Sequence, residues 1–208
     1  MKKTLLAMIA GMFIYTSPAL ALDPVVFVHG YSGSTIVNFS SMISWFKSDG
    51  YPSNYLYYYT YNTIPGVVNG ANILKGKVDA ALKATGKTKV DLICHSMGGL
   101  VARYYMKYLG GAAKVNQVVY IATPHKGTYV AFGDTFTQAA KDLRPGSAIV
   151  NQLLGYCPGL SLWSWCDEVV IPQSSANYGY AMSTGCVGHI LSTWTYSVYT
   201  KTRDYIRP

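Results

Sequence analysis

Charge is scarce in this chain, and negative charge is scarcer still. Asp, Glu, Lys and Arg together make up 12% of its 208 residues, about half the usual share of roughly 25%. Half of the residues are hydrophobic, so the shortage is not that of a disordered chain, which combines low hydrophobicity with high net charge. The sequence has no internal repeat, linker or low-complexity tract, which excludes collagen-like and coiled-coil classes and argues against two large domains. Nine acidic residues stand against 17 basic ones, for a formal charge of +8. Setting aside Lys2 and Lys3, which fall in a leader-like stretch, leaves +6 spread without a run, so the electrostatic footprint of a nucleic-acid binder is missing. Neither a C-x-x-C pair nor a histidine cluster supports a zinc site, and nothing in the sequence asks for another metal or a cofactor.

The leader-like stretch is a positive signal. Lys2-Lys3 precede an apolar run from Leu5 to Tyr15, and Ser17-Pro18-Ala19-Leu20-Ala21 then presents small residues at both positions of an A-x-A cleavage site. This predicts a signal peptide over residues 1–21 and a mature chain of 187 residues starting at Leu22, forming one domain over 22–208. The apolar run falls short of the roughly 18 to 20 residues that span a bilayer, and no later run matches it. The expectation is an exported, soluble monomer without a stable membrane anchor.

Beyond the leader, short apolar runs alternate with longer helical periodicities. Pro24 to Val28 is a continuous β-branched and aromatic run of the kind buried on both faces. Ser40 to Asp49 reads as a helix with Ser40 as N-cap and Gly50 past its end. Tyr55 to Tyr59 follows as a tyrosine-rich strand whose faces pack under helices. Val67 to Thr85 has helical spacing and is stopped by Gly86. Val90 to Cys94 is a strand leading into a helix over Gly98 to Leu109, and Val115 to Ile121 is another strand. The signal weakens over 128–154, an excursion over the sheet edge with helical pieces at Thr135 to Leu143 and Ser147 to Leu154. Short strands at Gly159 to Trp163 and Gly179 to Met182 and a closing helix at Thr193 to Ile206 complete a pattern of alternating strand and helix. Such a pattern argues for an α/β fold with a parallel sheet covered on both sides.

Cys94-His95-Ser96-Met97-Gly98-Gly99 lies between a predicted strand and a predicted helix. That is the context of a nucleophile elbow, a tight turn that lifts a serine hydroxyl above the sheet. Gly98 fits the second glycine of G-x-S-x-G, whereas Cys94 replaces the first. A serine at neutral pH needs a base, and the base needs an orienting acid. With the acid between nucleophile and base in chain order, His125 is excluded, because no Asp or Glu separates Met97 from Pro124. His189 remains. Its partner comes from Asp134, Asp142, Asp167 or Glu168; Asp167 follows a predicted strand end, and Glu168 is the fallback. For the developing oxyanion, the N–H of Met97 follows the nucleophile, and His29-Gly30-Tyr31-Ser32-Gly33-Ser34 after the first strand offers the N–H of Tyr31. His29 and His95 read as structural supports of these two turns.

The sequence resembles secreted bacterial lipases and esterases of the α/β-hydrolase fold, particularly small, lidless triacylglycerol lipases. The likeness rests on His29-Gly30-Tyr31, on Cys94 to Gly99 and on Ile121-Ala122-Thr123-Pro124-His125-Lys126-Gly127-Thr128. It continues through Asp142-Leu143-Arg144-Pro145-Gly146-Ser147, Ser164-Trp165-Cys166-Asp167 and Gly185-Cys186-Val187-Gly188-His189, in the family's order over nearly the whole mature chain. The resemblance implies a mainly parallel sheet with helices on both faces and a minimal cap. It also implies hydrolysis of acylglycerols or short- to medium-chain esters through an acyl-enzyme, with Ser96, Asp167 and His189 as catalytic triad and Tyr31 and Met97 as oxyanion hole. The excursion is longer than in the smallest lidless members and could form a partial cap. Thioester, phospholipid and polyester hydrolases are the neighbouring alternatives, and an inactive binding module of the same fold is the alternative from another class.

Four cysteines in an exported chain suggest disulfides. Joining Cys157 to Cys166 would bring together both ends of an intervening strand, whose five residues extend about 17 Å, whereas bridged Cα atoms lie about 5.5 Å apart. Cys166 and Cys186 instead precede the candidate acid and base on loops at one sheet edge. That pair is the expected bridge, leaving Cys94 and Cys157 free.

Overall fold

The run Val25–Val28 forms β1, and all four of its side chains are buried. A strand buried on both faces needs cover on both sides, and a computed structural model, which describes residues 22–207, shows where the cover comes from. β1 joins β2 (Leu56–Tyr58), β3 (Val90–His95), β4 (Val115–Ile121), β5 (Leu160–Trp163) and β6 (Tyr180–Ser183) in one sheet of order β2-β1-β3-β4-β5-β6. Every neighbouring pair is parallel. The helices are α1 (Thr35–Ser48), α2 (Val67–Thr85), α3 (Met97–Tyr108), α4 (Gln138–Leu143), α5 (Ala148–Leu153) and α6 (Tyr196–Ile206). The proposed leader and its cleavage position lie outside the described residues. No described helix is long and apolar enough to cross a membrane.

Side-chain alternation along β1 sorts the core into two layers. Val25 and Phe27 pack with Phe39 and Phe46 of α1 and Val198 and Tyr199 of α6. Val26 and Val28 pack with Leu74 and Val78 of α2 and Val101 and Tyr105 of α3. The Phe27 ring sits 5.2 Å from that of Phe39 and 6.1 Å from that of Phe46, and full burial of such a ring contributes about 1.5–3 kcal/mol. The chain moves from β1 outward to β2, then returns to the other side of β1 as β3. This reversal opens a crevice at the carboxyl ends of β1 and β3, the place where open α/β sheets bind ligands.

Two elements depart from the sequence pattern. α1 starts at Thr35 rather than Ser40, and Ser34 is its cap, its hydroxyl accepting from Val37 N at 3.3 Å. The helical period was hidden because Ile36 and Val37, in the first turn, point outward instead of into the core. The 128–154 excursion does more than pass over the sheet edge: Thr128, Val130, Ala131, Asp134, Ala140 and Leu143 form one wall of the crevice. Its first helix begins only at Gln138, where Thr137 caps the N–H of Ala140.

The late loops carry a disulfide between Cys166 and Cys186, with Cα atoms 4.8 Å apart and a sequence separation of 20. Cys94 and Cys157 are free. Closing a loop of this size contributes about 3 kcal/mol in the chain-entropy treatment, so reduction is expected to lower the urea midpoint accordingly, and an unchanged midpoint would show that the bridge carries no such constraint.

At the opposite end of β3, Asp91 is buried and accepts from Gln117 N at 3.0 Å and Asn116 Nδ2 at 3.3 Å. Burial, reinforced by the nearby Asp23 carboxylate, raises its pKa to about 7. A carboxyl whose folded pKa lies above its unfolded value stabilises the fold below the unfolded pKa, and that contribution is lost as pH rises through the folded one. Asp91→Asn, which keeps the acceptor oxygen, is therefore expected to spare the protein a loss of up to roughly 4 kcal/mol between about pH 4 and pH 7. Parallel urea titrations at the two pH values check this, and identical pH slopes for wild type and variant would contradict it.

Candidate active site

Ser96 links β3 to α3 with φ of +55° and ψ of −128°, a region that costs a non-glycine residue of order 1–3 kcal/mol. The surroundings impose it. Ser96 N donates to Ile121 O at 2.9 Å, while α3 starts immediately and presses on the end of β1. A Cβ at Gly98 would stand 2.3 Å from the Val28 carbonyl oxygen, and one at Gly30 would stand 2.6 Å from Ser96 Cβ. Both positions therefore need glycine. Cys94, where the usual motif has a glycine, faces the buried layer shared with α2 and α3, where a small side chain is accommodated.

His189 approaches the same crevice from the loop after β6. Its Nδ1 lies 3.0 Å and 2.9 Å from the two Asp167 carboxylate oxygens, and both residues are buried. Burial alone would raise the Asp167 pKa, but the His189 imidazole and the N–H groups of Val170 and Val169 outweigh it and hold the carboxyl below its ordinary value. Glu168 has a different place: both of its oxygens accept from the backbone N–H of His189, at 3.2 and 3.0 Å. The His189 carbonyl accepts from Ser192 Oγ at 2.6 Å and faces His95 Nε2 at 3.1 Å.

The protonation of His95 follows from its partners. Asn38 Nδ2 lies 3.1 Å from His95 Nδ1 and can only donate, so Nδ1 accepts and Nε2 carries the hydrogen given to His189 O. Burial, with His189 beside it, pushes the His95 pKa down to about 3, which keeps the ring neutral. Asn38 is itself oriented by accepting from Ser34 N at 3.2 Å. His29 is locked likewise: Nε2 accepts from Tyr61 N at 3.1 Å, leaving Nδ1 to donate to Gly30 O at 2.8 Å. Burial lowers its pKa as well.

The turn from Gly30 to Gly33 is closed by Gly33 N donating to Gly30 O at 3.2 Å, and Ser32 N is held by Thr63 Oγ1 at 3.1 Å. Among the described residues, the N–H groups of Tyr31 and Met97 have no acceptor, and Ser96 Oγ has no hydrogen-bond partner. Contacts to such a serine commonly tighten only when substrate is bound. Ser96, His189, Gly30 and Tyr31 line one cavity of about 610 Å³. Its remaining lining is mainly apolar and includes Val37, Ile190, Val130, Leu143, Val169 and Val170.

The other candidates do not meet His189. His125 is buried against Arg103, whose Nη1 donates to its Nδ1 at 3.0 Å, and against Ser161 at 3.1 Å; burial and the guanidinium push its pKa well down. Asp142 accepts from Val67 N at 2.8 Å and pins α4 to the start of α2. Asp134 accepts from the Tyr31 phenol. Asn38 and Ser192 belong to no motif and were invisible in the sequence. Only Glu168 carried a signal, its adjacency to Asp167, and it holds the backbone of His189 rather than the ring. Among the described residues, no group of three or more His, Cys, Asp or Glu could hold a metal ion.

Comparison with known proteins shows the family. A triacylglycerol lipase from Burkholderia plantarii is 33% identical over 141 residues, covering 61% of this chain and 38% of that protein. Phospholipase A(1) LCAT3 from Arabidopsis thaliana is 33% identical over 155 residues, covering 67% of this chain and 34% of that protein. The chain thus spans about a third of the length of these curated relatives. The mature form of the Bacillus licheniformis lipase BlEst2 shares the fold, with a TM-score of 0.79 at 18% identity over 93% of this chain and 95% of that one. The Lipase (class 2) family model matches residues 22–190, a stretch that contains Ser96, Asp167 and His189, and the chain belongs to that family.

Proposed function

We propose that this protein hydrolyses carboxylic esters of apolar acids, acylglycerols or short- to medium-chain esters, through an acyl-enzyme on Ser96. The observation that carries the reading is a single arrangement: a serine on a positive-φ turn and a carboxylate-bound histidine share the mouth of an apolar cavity. In this mechanism the Ser96 oxygen attacks the ester carbonyl while His189 Nε2 takes its proton. Asp167 holds the ring in the tautomer that leaves Nε2 free and stabilises the imidazolium. The carbonyl oxygen, now negative, receives the N–H groups of Tyr31 and Met97. His189 returns the proton to the leaving alcohol. Water activated by the same histidine then releases the acid and restores Ser96.

The cavity volume suits an acyl chain, and its rim favours an apolar partner. Ile36, Val37, Val130, Phe136, Ile190 and Trp194 are all exposed, Phe136 at 90%, and Val37, Val130 and Ile190 continue into the cavity. This supports substrate capture at a lipid–water interface. The leader-like sequence 1–21 and the Cys166–Cys186 bridge support export to an oxidising compartment, with 22–208 as the working domain.

The test is ester turnover across an acyl-length series, with and without an emulsion, alongside Ser96→Ala. Wild-type activity is expected to fall in Ser96→Ala to below about a thousandth, with an unchanged melting temperature, and an organophosphonate should label Ser96 stoichiometrically. Activity within tenfold of wild type, or a label elsewhere, would remove Ser96 from the role. Phospholipid or thioester turnover exceeding that of matched oxygen esters would move the substrate class.

The two adjacent carboxylates separate by the same assay. Asp167→Asn should lower kcat by on the order of 10⁴-fold, because the amide favours the wrong tautomer. Glu168→Gln keeps an acceptor for His189 N–H and should cost less than about tenfold. The reverse ranking would assign Glu168 as the acid.

A further inference from the structure

We infer that Asp134 is a positioning residue for the oxyanion hole, acting through the phenol of Tyr31; the inference rests on the ester-hydrolase reading. Three N–H groups of the turn after β1 are pinned: Ser32 N by Thr63, Gly33 N by Gly30 O and Ser34 N by Asn38. Tyr31 N–H cannot be pinned in this way and still bind an oxyanion, so its direction has to be set by other means. The Tyr31 side chain supplies them. Its hydroxyl donates to Asp134 Oδ2 and lies 3.3 Å from Thr137 Oγ1.

The acceptor is itself fixed. Asp134 Oδ1 receives Phe136 N at 2.8 Å and Thr137 N at 3.2 Å, and Oδ2 also receives Thr137 Oγ1 at 2.7 Å. Its backbone carbonyl accepts from Arg144 Nη2 at 2.9 Å. The segment then enters α4, which Asp142 ties to the N-terminus of α2. The Tyr31 and Thr137 hydroxyls and the two N–H groups hold the Asp134 carboxyl far below its ordinary pKa. The phenol bond is therefore charge-assisted, the strong kind. Tyr31 links the cavity wall to the reacting centre, because Gly30, its neighbour, packs directly on Ser96. Displacing an aligned donor by a fraction of an ångström to an ångström costs rate rather than affinity.

Tyr31→Phe, which removes one oxygen, Asp134→Asn, which keeps the turn's acceptor, and the double variant test this with a soluble short-chain ester. Each single variant is expected to lower kcat about tenfold with KM within about twofold, and the double should be no worse than either single by more than about twofold. Phosphonate inactivation should slow by the same factor as kcat, since its tetrahedral adduct places an anionic oxygen in the same hole. Wild-type kcat in Tyr31→Phe, or single losses that multiply in the double, would overturn the inference while leaving the hydrolase reading standing. A change confined to melting temperature would also overturn it, because that is the mark of a purely structural bond. A wild-type protein that cleaves no ester and takes no phosphonate overturns both.

Discussion

The first turn of α3 lies so close to the end of β1 that no side chain fits at position 98, where a Cβ would stand 2.3 Å from the Val28 carbonyl oxygen. Most of the crevice follows from that approach. It forces the chain to turn within one residue after β3, which puts Ser96 at positive φ, with α3 starting at Met97. It also brings the segment after β1 against the serine, close enough that position 30 is glycine for the same steric reason. The parallel register pairs Val28 with Cys94, so the two turns leave the sheet at one level. Ser96 and the proposed oxyanion donors are thus placed by backbone packing, before any side-chain hydrogen bond is considered.

The histidine is placed by the opposite means. His189 sits on a loop, where no regular element orients it, and polar contacts do so instead. Asp167 binds the ring, Glu168 binds the N–H, and Ser192 and His95 meet the carbonyl. His189, Asp167, Ser192 and His95 are buried while Glu168 is exposed, and a buried polar network is rigid only when its members are satisfied. His95 stands immediately before Ser96, so its bond to His189 joins the strand that carries the proposed nucleophile to the loop that carries the proposed base. The disulfide closes the same arrangement from outside, tying the residue before Asp167 to a position three before His189.

What the sequence made legible was whatever depended on backbone chemistry and chain order. The apolar runs marked β1 and β3, whose residues are all buried, because strands buried on both faces are nearly continuous in hydrophobic residues; the edge strands β2 and β6 are partly exposed and gave only short signals. The Ser-Met-Gly-Gly turn was readable because sterics demand small residues there, and the order of Ser96, Asp167 and His189 left few alternatives. The hidden parts were contacts between residues far apart in sequence. Asn38 looks like an ordinary helical asparagine until His95 is seen 3.1 Å away. The true start of α1 was masked because its first apolar residues serve the cavity rim and not the core. Segment 128–154 was the least readable, its helices being only six residues long and held by side-chain caps and by Asp142 rather than by a broad apolar face.

The four histidines differ in the partners that fix their rings, and His189 alone has the arrangement proposed for proton transfer. His29, His95 and His125 each have a ring nitrogen accepting from a donor that cannot reverse its role: a backbone N–H, an amide nitrogen and a guanidinium, respectively. Protonating any of them would break that bond and place a charge in a buried site, and burial pushes all three pKa values down. They remain neutral and serve as rigid two-ended connectors. At His189 the Nδ1 partner is a carboxylate, which can only accept, so the ring keeps a hydrogen there and turns its other nitrogen to the cavity. The difference between the connectors and the proposed base therefore lies in whether the fixed partner of the ring is a donor or an acceptor.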